Sequence, residues 1–105
     1  MAPEWVDVGA SSEATPHQPL TAEVDDLAIL VLRCEDGLYA VENRCTHDGE
    51  PLYGAPVDGC TIICPRHFSQ FCMRTGEALS PPAYEPLRTF EVREDSGRVY
   101  VRLTP

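Results

Sequence analysis

Two short runs, Cys45-Thr46-His47 and Cys64-Pro65-Arg66-His67, stand sixteen residues apart and constrain this chain more than any other feature. Each run offers one thiol and one imidazole. Thiolate and imidazole are ligand types for zinc, copper and iron–sulfur groups. A structural zinc finger usually puts its two Cys in one pair and its two His in the other. Here each knuckle holds one of each. That order suits a two-iron cluster in which one iron takes both Cys and the other takes both His. A zinc-stabilised binding module is the alternative from another class.

At these residues the chain resembles the Rieske family, whose pattern is Cys-x-His, a spacer of this length, then Cys-x-x-His. The likeness extends to Leu52, Asp58-Gly59, Pro65, Phe71, Thr75-Gly76, Pro82-Ala83 and the closing segment Leu87 to Val101. It implies an all-β fold: a small antiparallel sandwich or barrel-like domain with a cluster-binding part at about 43–84. It also implies Cys45, His47, Cys64 and His67 as ligands of a Rieske-type [2Fe–2S] cluster. By size the chain is most similar to the stand-alone Rieske ferredoxins of bacterial systems that hydroxylate aromatic rings. Those carry electrons and are not themselves enzymes. The partners implied are an FAD- and NADH-using ferredoxin reductase and a terminal oxygenase. A Rieske subunit of another complex, such as a small nitrite reductase subunit, is the runner-up and would need a broad exposed apolar patch.

The rest of the sequence sets bounds. A chain of 105 residues is enough for a single domain, taken as 1–105. Eight basic against seventeen acidic side chains give a net charge of −9, which argues against nucleic acid and favours a partner with a basic docking patch. No secretory signal and no apolar run long enough to cross a membrane are visible, so the expectation is a cytoplasmic monomer. Of five Cys, the ligands leave Cys34, Cys60 and Cys72. The odd remainder reads as free thiols in a reducing compartment. Cys34 and Cys60 are expected to pack as small apolar residues, and Cys72 to be buried. His17, beside Pro16 and Pro19, reads as a surface residue, and too few His remain for an oxygen-activating iron site.

Ten prolines and seven glycines predict short strands and many loops. Trp5 to Val8 alternates as a strand, and residues 9–22 read as a loop or irregular edge. Leu27 to Arg33 and Leu38 to Glu42 read as a hairpin about Asp36-Gly37. A helix from Val24 through Val31 is the rival, disfavoured because the run is short and meets a turn. Asp58-Gly59 turns into a strand from Cys60 to Cys64. Leu87 to Arg93 and Arg98 to Leu103 pair about Ser96-Gly97.

Two details concern tuning. Where Rieske members usually have Gly after the second ligand His, this chain has Phe68. That bulk either changes the loop or forms an apolar lip for docking. High-potential members carry an extra Cys in each knuckle; here Glu50 and Arg66 stand there, and Phe71 replaces a hydroxyl-bearing Tyr. The likeness therefore implies the low end of the Rieske range, about −150 mV.

Overall fold

The computed structural model describes residues 5–15, 18–46, 49, 52, 57–64, 68–81 and 85–103. Among the described residues, nine strands form two antiparallel sheets. The larger, the base sheet, holds β1 (Trp5–Ala10), β2 (Leu20–Val24), β3 (Leu27–Cys34), β4 (Gly37–Glu42), β8 (Thr89–Asp95) and β9 (Arg98–Arg102). Its order is β1-β9-β8-β4-β3-β2. The smaller is β5 (Val57–Asp58), β6 (Thr61–Ile63) and β7 (Gln70–Cys72), in sequence order. Among the described residues the helical structure is one 3-10 turn at Ser11–Glu13. The all-β antiparallel architecture expected from the sequence is what folds.

β1 and β2 close on each other where Gly9 faces Leu20. Gly9 takes φ 148°, where a side chain would be strained, and a Cβ there would crowd Leu20 Cδ1 at 3.0 Å, so glycine suits this close approach. The register of β1 on β9 slips between Asp7 and Gly9, a bulge that bends the strand at the same point.

β3 explains the ambiguity in its own sequence. Ile29 and Val31 point into one core with Ala40, Phe90, Val99 and Val101. Leu30 and Leu32 point the other way, into a core shared with Ile62, Phe71 and Met73 of the small sheet. A strand buried on both faces reads as an unbroken apolar run rather than an alternating one. The helical rival is excluded: β3 pairs with β2 on one edge and β4 on the other.

Two expectations are corrected. Residues 20–22, assigned to a loop, belong to β2, which leads into a turn where Asp25 and Asp26 both take positive φ (51° and 67°). Aspartate tolerates that conformation better than most residues, and paired positive φ is the hairpin type whose twist matches the strands. The second correction concerns Cys34 and Cys60. They are not two free thiols but one disulfide, with Cα atoms 5.3 Å apart. Cys34 ends β3 just before the Glu35-Asp36 turn, and Cys60 sits in the turn after Asp58-Gly59, so two hairpin tips meet. In the chain-entropy account, closing a loop of 26 residues is worth about 3.5 kcal/mol.

Candidate metal centre

Both predicted sulfur ligands are fully buried, in one cluster of side chains, and neither forms a disulfide. Cys45 leaves the base sheet three residues after β4. Cys64 continues directly from β6. Leu52, Ile62 and Phe71 are completely buried in the same cluster. The other two predicted ligands, His47 and His67, lie outside the described residues, as do His17, Asp48, Glu50, Arg66, Pro82 and Ala83.

The two knuckles share a local geometry. In the first, the Gly49 N–H donates to the Cys45 carbonyl at 2.7 Å; in the second, the Phe68 N–H donates to the Cys64 carbonyl at 2.8 Å. Each hydrogen bond therefore closes a span of five residues. Each closes on a residue in the left-handed region, Gly49 at φ 76° and Phe68 at φ 64°. For glycine that conformation is free of strain, whereas for any residue with a Cβ it costs about 1–2 kcal/mol. Of the two sequence readings of Phe68, the geometry bears on both. The loop closes as its partner does, and the ring stands 70% exposed beside the His67 position.

Other contacts hold the knuckles in place. The Leu52 N–H donates to Asn43 Oδ1 at 2.7 Å, spanning the first knuckle. Thr46 Oγ1 donates to the Glu85 carbonyl at 2.7 Å. The Cys64 N–H donates to the carbonyl of buried Ser69 at 2.8 Å. The strand after the second knuckle is fastened where the Leu79 N–H donates to the Gln70 carbonyl, and the Gln70 N–H donates to Ser80 Oγ. Gly76, at φ 80°, lets the chain return under Leu87: an added Cβ would clash with the Leu87 carbonyl.

The donor chemistry fits a [2Fe–2S] group. Two free, fully buried thiols from two loops belong to one apolar cluster of side chains, and thiolates of that kind are the ligands such a site takes. Cys72, expected to be buried, is only partly so. Burial pushes its thiol up, but hydrogen bonds from Thr75 and Arg74 outweigh that and hold it below its ordinary value. It is not part of that cluster of side chains. What the sequence reading missed were the Cys34–Cys60 pair and the Asn43 clasp. The first was open to inspection, since each Cys adjoins a turn signal. The second rests on long-range register, which no local pattern encodes.

The Rieske [2Fe–2S] domain model matches residues 4–91. The chain is 35% identical over 77 residues to the 3-phenylpropionate/cinnamic acid dioxygenase ferredoxin subunit of Photorhabdus laumondii, covering 72% of this chain and 73% of that one. It is 29% identical over 104 residues to the ferredoxin component of the naphthalene 1,2-dioxygenase system of Pseudomonas aeruginosa, covering 99% and 100%. Among solved structures, a chain in the complex of reduced oxygenase and oxidised ferredoxin of carbazole 1,9a-dioxygenase superposes with a TM-score of 0.86 at 35% identity, covering 96% and 94%. The carbazole 1,9a-dioxygenase ferredoxin of Nocardioides aromaticivorans IC177 gives 0.86 at 29% identity, covering 93% and 96%.

Proposed function

The chain belongs to the Rieske [2Fe–2S] domain family, and on that premise we propose that it is a ferredoxin passing electrons from a flavin-containing, NADH-using reductase to a terminal ring-hydroxylating oxygenase. The observation that carries this is the full-length match to a ferredoxin component, together with the two buried thiols in one apolar cluster of side chains. Cys45 and Cys64 would hold one iron, and His47 and His67 the other. Bound there, the cluster supplies reversible one-electron chemistry.

The chain's own residues do the rest. Leu52, Ile62 and Phe71 exclude water from the sulfur side. Phe71 has no hydroxyl to donate to a ligand sulfur, which supports a potential near about −150 mV; a value above about +100 mV would contradict it. Phe68 offers an apolar contact to the oxygenase next to His67, and the charge of −9 steers toward a basic rim. Among the described residues, Phe68 and Leu79 are the large hydrophobics that stand exposed. Each could give an apolar contact to a transient partner.

The test is reconstitution with an NADH-dependent flavin reductase and a ring-hydroxylating oxygenase. Oxygenase turnover should depend on this protein and slow as salt rises. Zinc at one per chain with no labile sulfide would refute the reading. Phe68→Gly should keep the cluster, gain about 1 kcal/mol from relief of its left-handed backbone, and deliver electrons more slowly. An unchanged delivery rate would remove Phe68 from the docking surface.

A further inference from the structure

The Cys34–Cys60 disulfide lies apart from the knuckles, with β6 between it and Cys64, roughly 13 Å at strand rise. The loop it closes contains Cys45, His47 and Leu52. Its far sulfur belongs to the turn from which β6 runs to Cys64. One bond thus ties the segment bearing the first knuckle to the root of the strand bearing the second.

Among the described residues, the backbone bond from the Leu87 N–H to the Gly76 carbonyl, at 2.7 Å, also links the two parts. The base and small sheets share a side-chain core but no strand ladder among the described residues. Beside the disulfide, Arg74 pairs with Asp36 at 3.1 Å, and Tyr39 donates to the same carboxylate at 3.0 Å. Those side chains are substantially exposed, and exposed ion pairs hold weakly.

The two cysteines are largely buried, each 8% exposed, and the surface approaches them at one cavity. A surface cavity of about 280 Å³ is lined by both cysteines with Arg33, Glu35, Gly59 and Arg74. Space is open at Gly59, where an added Cβ would meet nothing within 4 Å. Of the cations lining it, the Arg33 guanidinium is held by the Ala14 and Ser11 carbonyls and by Glu94, and the Arg74 guanidinium is held by Asp36.

We propose that Cys34–Cys60 is a thiol–disulfide exchange site whose substrate is a dithiol, and that its opening releases the grip of the fold on the cluster. One thiolate of the dithiol attacks a sulfur of the pair and forms a mixed disulfide. The second then displaces the remaining protein sulfur. The dithiol leaves as its own disulfide, and its two hydrogens end on Cys34 and Cys60. Cys72 does not intervene. It pairs across from Thr61, so its side chain lies on the face opposite to that of Cys60.

The test uses the intact holoprotein. Alkylation in denaturant without reductant should leave Cys34 and Cys60 unmodified while labelling Cys45, Cys64 and Cys72; labelled Cys34 and Cys60 would overturn the proposal. Dithiothreitol, added without oxygen, should then shorten the half-life of visible absorbance under EDTA challenge several-fold. A Cys34→Ser/Cys60→Ser variant should bleach at that faster rate with or without dithiothreitol, which separates opening of the bond from direct attack on the cluster. If the variant does not fold, the wild-type pair of measurements stands alone. Equal bleaching of closed and open wild type would overturn the proposal.

Discussion

The base sheet and the small sheet are built from the same kind of strand but hold together by different means. β1, β2, β3, β4, β8 and β9 run five to eight residues each and ladder continuously around a core of their own, including Ile29, Val31, Val99 and Val101. β5, β6 and β7 run two, three and three. A sheet that short cannot stand alone in water. It leans on the back of β3 and β4 through Leu30, Leu32 and Val41, on one disulfide, and, on the proposed reading, on the cluster that Cys45 and Cys64 would hold. The lesson is a division of labour: one region folds by burial, and the other is completed by what it binds.

The largest expected break in that comparison comes from the ligands. Cys45→Ser, Cys64→Ser, His47→Ala and His67→Ala should each abolish the visible spectrum, because metal binding and local folding are coupled. Amide exchange should then lose protection across 57–73 while β3, β8 and β9 keep theirs. Equal loss in both sheets would show that the base does not fold independently.

A second variant pair separates the two cores. Phe71→Ala removes a fully buried ring and should cost about 3–5 kcal/mol. In urea, cluster bleaching should precede loss of strand circular dichroism. Val101→Ala, in the base core, should instead shift both transitions together.

The smallest effect is electrostatic. The Arg98 guanidinium holds the Asp7 carboxyl below its ordinary 3.8, assisted by the Gly9 N–H and opposed by slight desolvation. A carboxylate lowered by folding stabilises the native state above its ordinary value, and that contribution is lost as pH falls through the lowered one. The urea midpoint of Asp7→Asn should therefore lie slightly below wild type by a constant margin from pH 7 to about 5, and the gap should close below 3.8. Because the pair lies on β1 and β9, cluster retention should not change.

The same contrast explains what the sequence revealed. Ligand spacing, the Asp36-Gly37 and Ser96-Gly97 turns and the β8–β9 alternation are local and were legible. β2 was hidden by the Ser- and Pro-rich stretch before it, although Leu20, Ala22 and Val24 alternate with exposed Thr21 and Glu23. The Cys34–Cys60 bond was hidden because an odd count of spare cysteines was read as no pair, when one pair and one thiol satisfy it equally. The closure shared by Gly49 and Phe68 could not be read at all, since a Phe at positive φ runs against its own propensity.

The central claim is that two cysteines and two histidines share one cluster. Pulsed EPR of the dithionite-reduced protein, with nitrogen-15 in histidine alone, tests it most directly. The account predicts a rhombic signal coupled to two histidine nitrogens, unchanged in His17→Ala, and losing its cluster entirely in His47→Ala or His67→Ala. A signal without histidine coupling, or coupling that disappears with His17, would contradict it.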